Sequence, residues 1–269
     1  MADKCITRRD MLRASGLVFA GMAASSALGG CAQAASSGAA QGSGSTPQGA
    51  GSQAAGSQGA ASAGSDEGFF IVGIEKGDEV WKRIEHKSYK DDCTVPLSDL
   101  RYLRALHVDL EGNVHEGEMV CNKAIAETVL DILRKLYEAK YPIERMRLVD
   151  DYDADDETSM RDNNSSSFNF RFISHTTRVS KHGYGLAVDI NTLYNPYVKE
   201  VDGVTHIEPE TGAPYVDRTA SFPYKIDHDD LCYKLFVERG FEWGGDWTDR
   251  KDYQHFELPT EKVNELYPQ

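Results

Sequence analysis

The stretch that most constrains the fold is 180–191, where a glycine-rich turn is followed by strict alternation. In its second half, large apolar residues alternate with small or polar ones, a period of two that is typical of a β-strand. Asp189 is therefore predicted to lie on the strand face opposite the apolar stripe. Gly183 and Gly185 precede the strand and permit a sharp turn. This pattern predicts that His182 is brought back beside Asp189.

A third polar residue near the chain end completes a candidate metal site. His182, Asp189 and His255 offer the two imidazoles and one carboxylate of a zinc site that keeps a fourth position open. Asp252 precedes His255 by three residues and is a candidate general base for a zinc-activated water. A lone histidine is more often structural, so the prediction of one Zn²⁺ rests on the three residues together.

The start of the chain predicts export and lipid anchoring. Residues 7–13 form a twin-arginine pattern, and an apolar run of small residues follows over 14–28. That run has the length of a signal-peptide core and is too short to span a bilayer. It leads into Leu-Gly-Gly-Cys, ending at Cys31, which resembles the cleavage box of bacterial lipoproteins. We predict that residues 1–30 are a twin-arginine lipoprotein signal peptide, with an ordinary signal peptide and an incidental cysteine as the alternative.

Lipidation of Cys31 would attach the protein to the outer side of the cell membrane, so we predict an extracytoplasmic location. Residues 32–65 are almost entirely Ala, Gly, Ser and Gln and offer no apolar face to bury. Segment 31–66 is therefore predicted to be the lipidated cysteine and a disordered tether, with an end-to-end distance on the order of 30 Å. Segment 67–269 is long enough for one domain with its own core.

The net charge of the chain excludes one class of binding partner. The 269-residue chain has a net charge of −14, or −16 without the predicted leader, which carries +2. So acidic a domain is a poor candidate for binding nucleic acid, which requires a positively charged protein surface.

Cys93, Cys121 and Cys232 permit one disulfide and one free thiol, but their spacing neither selects a pair nor matches a cysteine-based zinc site. We expect a monomer.

Periodicity and capping predict an α+β domain, with a small, mostly antiparallel sheet, helices packed on it and zinc in a surface cleft. Predicted strands cover 69–74, 100–110, 119–120, 145–149, 168–173 and the last segment around His255, with a hairpin over 201–207. Asn122 is predicted to cap a core helix that reaches about residue 140. Another helix is predicted over 227–239, with Leu231 pointing inward.

Four ordered blocks between Asn163 and Glu257 carry a specific resemblance. They read Asn-Asn-x-Ser-x-Phe-Asn-x-Arg, Ser-x-His-x-x-Gly-x-Ala-x-Asp-Ile-Asn, Gly-Phe-x-Trp-Gly-Gly-Asp-Trp and Asp-x-x-His-Phe-Glu. In this order they resemble the D-alanyl-D-alanine carboxypeptidase-like zinc peptidases, whose relatives include endolysin peptidases that cut L-Ala–D-Glu bonds. The resemblance implies the metallopeptidase fold shared with hedgehog-like proteins, extending back to about residue 67.

The resemblance also implies roles for individual residues. The family's zinc ligands fall on His182, Asp189 and His255, and its catalytic carboxylate falls on Asp252, where many relatives carry Glu. Its conserved arginine falls most nearly on Arg171, although the spacing there is looser. The planar guanidinium would hold either the substrate's terminal carboxylate or the developing oxyanion.

For three further side chains the sequence allows two roles, one in the site and one that is only structural. Ser180 is either a substrate contact or a turn-forming residue. Trp247 follows a Gly-Gly pair and is either a wall of the substrate cleft or part of the core. Asp246 either orients a ligand histidine from behind or caps the turn.

The expected substrate is therefore a peptidoglycan stem peptide, and the expected reaction is removal of the terminal D-Ala of D-Ala-D-Ala. An L-Ala–D-Glu endopeptidase using the same site is the nearest alternative. A lipid-anchored, non-catalytic cell-wall-binding module on the same fold is a third possibility from a different class.

Overall fold

The computed structural model describes residues 68–173 and 176–268. The predicted signal peptide, the lipidation site Cys31 and the predicted tether lie outside these residues. Within the described ranges, every helix is too short or too polar to cross a membrane.

The described residues form an α+β fold, as predicted. The strands are β1 (Phe70–Gly73), β2 (Leu100–Val108), β3 (Val114–Asn122), β4 (Arg145–Met146), β5 (Asn164–Ser165), β6 (Ala187–Asp189), β7 (Tyr197–Val201), β8 (Val204–Glu208), β9 (Glu242–Trp243), β10 (Lys251–Asp252) and β11 (His255–Glu257). The helices are α1 (Glu79–Ile84), α2 (Lys123–Glu138), α3 (Asp156–Arg161), α4 (Leu231–Glu238) and α5 (Thr260–Leu266). Instead of one sheet, these strands make three antiparallel sheets of three strands and one parallel pair.

The largest sheet, β1-β2-β3, carries the main core together with α2. Its nine-residue strands β2 and β3 pair antiparallel from Leu100–Asn122 to Val108–Val114, and the predicted turn at Gly112 joins them. Helix α2 buries one stripe of apolar residues at helical spacing, namely Ile125, Val129, Ile132, Leu133 and Leu136. An amphipathic helix covering one face of an antiparallel sheet is a standard way to close a core.

Asn122 joins this core to the turn that carries His182. Its Oδ1 accepts from the N–H of Ala124 at 3.0 Å, which confirms the predicted N-cap of α2. Its side-chain nitrogen donates to the carbonyl of Tyr184 at 3.0 Å and to the hydroxyl of Tyr267 at 2.7 Å. Its backbone N–H donates to the carbonyl of Gly185 at 2.8 Å. One residue therefore fixes both the helix start and the position of the turn.

We expect Asn122→Ala to lower the free energy of unfolding by about 2–3 kcal/mol, because it removes a cap and the two hydrogen bonds that the amide nitrogen donates. Asn122→Ser is the matched variant, since its hydroxyl can still cap α2, it loses both hydrogen bonds donated by the amide nitrogen, and it buries no charge. Urea unfolding should therefore rank wild type above the Ser variant and the Ser variant above the Ala variant. Equal stability of the Ala and Ser variants would contradict a contribution from the cap.

Two small sheets carry the polar residues singled out in the sequence. In β6-β11-β9, Asp189 pairs with His255 across antiparallel strands. In β10-β7-β8, Asp252 pairs with Tyr197. The predicted hairpin over 201–207 is confirmed but is longer than expected, because β7 already begins at Tyr197 and β8 ends at Glu208.

The strand predicted over 168–173 is wrong, and burial does not follow the alternation of its residues. Phe168, Asn169 and Phe170 are all buried, whereas Phe172 is 40% exposed. The N–H groups of Phe168, Asn169 and Phe170 donate to the carbonyls of three different segments, at Val120, His182 and Ser88. Residues 168–170 therefore share no single partner strand, and Phe172 forms only an isolated antiparallel bridge with Val179.

Two smaller predictions also need correction, and the state of the cysteines can be given. The strand predicted over 145–149 ends at Met146, and a 3₁₀ turn follows at Val149–Tyr152. Leu231 is the first residue of α4 and is 37% exposed rather than inward-facing. The three cysteines, Cys93, Cys121 and Cys232, are free thiols in the described structure, so the disulfide that their number permits is not formed.

Candidate metal centre

The structure brings His182, Asp189 and His255 together as the sequence predicts. Nε2 of His182 lies 3.0 Å from Nδ1 of His255 and 3.1 Å from Oδ2 of Asp189. Nδ1 of His255 lies 3.0 Å from Oδ1 of Asp189. Among the described residues these three form a group whose ligand atoms all lie within 4.8 Å of one another. Their side chains are only 7–15% exposed.

Glycine makes the approach of His182 possible. Gly185 has a φ of +67°, and a Cβ there would lie 2.8 Å from the backbone nitrogen of Asn122. A Cβ at Gly183 would lie 2.9 Å from the carbonyl oxygen of Arg171. Both positions therefore exclude a larger residue, one by conformation and both by space. The predicted sharp turn before β6 is confirmed.

Each histidine is held by its second ring nitrogen. Nδ1 of His182 lies 2.7 Å from the carbonyl oxygen of Ser167, and Nε2 of His255 lies 2.9 Å from Oε2 of Glu257. Carbonyl and carboxylate oxygens only accept, so these two nitrogens must carry protons. The nitrogens left to bind a metal are Nε2 of His182 and Nδ1 of His255, and both lie next to the Asp189 carboxylate.

Three converging lone-pair atoms call for a shared cation. Zinc bonds of about 2.0–2.1 Å in a tetrahedral arrangement separate neighbouring ligand atoms by about 3.3 Å. The separations of 3.0–3.1 Å seen here approach that value. Two imidazoles with one carboxylate are also a donor set that suits zinc, and the hydrogen-bonded second nitrogens match the support that metal-bound histidines receive. These residues therefore fit a zinc ion.

The local charges also favour a cation. Burial acts to raise the pKa of Asp189, but the His182 and His255 rings outweigh it and hold that pKa well below its usual range. Burial acts to lower the pKa of His255, but hydrogen bonds to Asp189 and Glu257 outweigh it and raise the pKa to about 10. The carboxylates of Asp189 and Glu257 thus stabilise a positive charge on His255, and the same surroundings favour a bound cation.

Asp252 is not one of the three residues whose ligand atoms converge. Burial raises the pKa of its carboxyl to about 7, opposed by the charge of His255 and reinforced by that of Asp189. Its Oδ1 is buried and has no hydrogen-bond partner among the described residues. Gly244 packs directly on it, since a Cβ at Gly244 would lie 2.7 Å from the Cβ of Asp252. A free carboxylate oxygen with a pKa near neutrality is suited to accepting a proton.

The structure also places the other predicted residues. Nη1 of Arg171 lies 3.1 Å from Oδ2 of Asp156, while its backbone carbonyl accepts from the N–H of Ser180. Oγ of Ser180 accepts from the N–H of Gly183 at 2.9 Å, so Ser180 does form the turn. The half-buried Trp247 ring has its centroid 5.4 Å from that of His255. The catalytic and substrate-binding roles of these residues stay predictions.

Asp246 does not contact either ligand histidine. Its Oδ1 accepts from Nε2 of His228 at 2.7 Å, in an exposed pair. The residue that does hold a ligand ring from behind is Glu257, which sequence analysis did not assign. Period-two spacing could have indicated it, because Glu257 follows His255 by two residues on the same face of a strand.

A mononuclear group of two histidines and one carboxylate, with a free carboxylate alongside, is typical of metal-dependent hydrolases. The family model described as D-alanyl-D-alanine carboxypeptidase matches residues 174–258, so this segment of the chain is similar to that peptidase family. The match confirms the family resemblance over the last three of the four blocks, two of which contain His182, Asp189, Asp252 and His255. It begins after Arg171. No curated protein and no solved structure matches the chain.

Proposed function

We propose that the protein is a zinc-dependent carboxypeptidase that removes the terminal D-Ala from peptidoglycan stem peptides. The observation that carries this proposal is the convergence of His182, Asp189 and His255 beside Asp252, inside the segment that matches the peptidase family. Oδ1 of Asp252 has no hydrogen-bond partner among the described residues. A binding module that had lost catalysis would have no physical need for a free carboxylate with a raised pKa beside complete metal ligands.

The reaction needs one water, one base and one anion-binding group. Bound zinc would be held by His182, Asp189 and His255 and would supply a Lewis acid and a water with a pKa of about 7. Asp252 takes a proton from the attacking water and delivers it to the leaving amine as the C–N bond breaks. The products are the shortened peptide carboxylate and free alanine, so atoms and charge balance.

Arg171 would hold the terminal carboxylate of the substrate or the developing oxyanion. Its guanidinium is bound to Asp156, and both side chains are 36% exposed. The terminal carboxylate of the substrate would therefore replace the Asp156 carboxylate on the planar guanidinium of Arg171. Trp247 beside His255 would form one wall of the proposed cleft, and Ser180 would lie at its edge.

The location of the reaction is also part of the proposal. We propose that the chain is exported, that Cys31 is lipidated, and that the tether over 31–66 lets a monomeric domain reach the wall above the membrane. The twin-arginine pattern and the Leu-Gly-Gly-Cys box of the sequence support this arrangement. Labelling with a radioactive fatty acid in a bacterial host should modify the wild type and not Cys31→Ala.

The decisive experiment incubates the zinc-loaded protein with muropeptides that end in D-Ala-D-Ala and follows the products by mass spectrometry. We expect loss of a single alanine, suppressed by a chelator. Release of the stem from its L-Ala would instead identify an endopeptidase. Stoichiometric metal with no cleavage of any muropeptide would contradict both activities and favour the binding module.

A further inference from the structure

Glu257 links two parts of the metal centre through its two carboxylate oxygens. Oε2 lies 2.9 Å from Nε2 of His255, and Oε1 accepts from Nζ of Lys181 at 2.7 Å. The Lys181 and Glu257 side chains are only 16% and 13% exposed. We propose that Lys181 and Glu257 are positioning residues that hold His255 in the tautomer whose Nδ1 faces the metal. This inference rests on the proposed function only in taking zinc as the metal.

The pair joins the two elements that carry the ligand histidines. Lys181 directly precedes His182 in the glycine-rich turn, and Glu257 ends β11, which begins at His255. The Lys181 carbonyl also accepts from the N–H of Leu186 at 2.8 Å, so the lysine backbone is fixed where the turn meets β6. The chain Lys181–Glu257–His255 therefore sets the orientation of one ligand ring relative to the segment that carries the other.

A carboxylate is the group that this position needs. Lysine can only donate, so one oxygen of residue 257 must accept from Lys181. The other oxygen can only accept from His255, which fixes the ring proton on Nε2 and leaves the Nδ1 lone pair for the metal.

Glu257→Gln tests this arrangement because it has the same shape with one oxygen replaced by a donor. Lys181 still requires the remaining oxygen, so the amide N–H₂ turns toward Nε2 of His255. A donor there favours the tautomer with its proton on Nδ1, the nitrogen that the metal needs. We expect the zinc Kd, measured by competition with a chromogenic chelator, to rise about 10–100-fold.

A second variant separates tautomer control from packing. In Glu257→Gln/Lys181→Met the amide is free to turn its oxygen to His255, so we expect zinc affinity to return to within a few fold of wild type. Glu118→Gln is the matched control, since Glu118 is another partly buried carboxylate held by Arg83 and Tyr102. Its zinc Kd should not change. Thermal melting establishes that each variant is folded at the assay temperature.

Proton NMR of the zinc-loaded protein gives a readout that does not depend on activity. In wild type, the Nε2–H proton of His255 should show a resolved, slowly exchanging resonance, which should be lost in Glu257→Gln. Wild-type zinc affinity in Glu257→Gln, or equal weakening in the double variant, would overturn the inference. A wild type that binds zinc tightly and cleaves no muropeptide would refute the proposed hydrolase and leave this inference standing.

Discussion

Asp252→Asn should reduce kcat/KM for muropeptide hydrolysis by about 10²–10⁴-fold while leaving the zinc Kd within a few fold of wild type. Asparagine keeps the shape of the side chain and cannot take a proton at neutral pH. The three convergent ligand atoms belong to His182, Asp189 and His255, so metal binding should not need residue 252. Mass spectrometry of the products and chelator competition measure the two quantities on the same preparation.

Asp246→Asn is the control for the loss of one carboxylate nearby. Asp246 is bound to His228 in an exposed pair, so its replacement should change neither hydrolysis nor zinc affinity appreciably. If Asp252→Asn lost zinc in parallel with activity, Asp252 would be acting through the metal and not as the base. If it kept full activity, the proposed base would be wrong.

Asp252→Asn, although it should reduce hydrolysis, should increase the stability of the folded protein at high pH. The pKa of Asp252 is about 7 in the folded protein, above its ordinary 3.8, so the folded state holds more protons than the unfolded state between these values. The contribution of Asp252 to stability therefore falls as pH rises from about 4 to 7. In zinc-free protein at pH 8 we expect Asp252→Asn to be more stable than wild type by about 1–3 kcal/mol. The difference in urea unfolding should vanish near pH 4, and its persistence there would contradict this origin.

Much of the candidate site could be predicted because local rules set it. The alternation before Asp189 and the glycines around Tyr184 act within a dozen residues, and the structure confirms both the strand and the turn. The N-cap at Asn122 is likewise local, because its side chain accepts from the N–H of Ala124, two residues along the chain. The meeting of His255 with Asp189 depended on the resemblance, since they are 66 residues apart and nothing local indicates which strands pair.

The parts that could not be predicted depend on contacts distant in the sequence. The segment around Phe170 alternates as a strand does, but its N–H groups donate to three separate segments, and no local pattern encodes that. The ion pair between Lys181 and Glu257 spans 76 residues. Asp246 lies close to His255 in the sequence, but its side chain is hydrogen-bonded to His228, which is 18 residues away in the sequence.

Removing zinc should abolish hydrolysis and also lower the stability of the folded protein. A ligand that binds only the folded state stabilises it by RT ln(1 + [L]/Kd), which is about 4 kcal/mol when free zinc is a thousand times its Kd. Urea unfolding with zinc and with excess chelator should therefore differ by about that amount in wild type and in Asp246→Asn.

Asp189→Asn should remove that difference, because it deletes the only negative charge among the three ligand atoms and with it most of the attraction for a divalent cation. Its unfolding midpoint should be the same with zinc and with chelator. A zinc-dependent shift as large as that of wild type would show that the metal binds elsewhere. A wild type whose stability ignores zinc, with hydrolysis intact, would contradict the metal centre itself, since His182 and His255 would then converge on Asp189 for structural reasons alone.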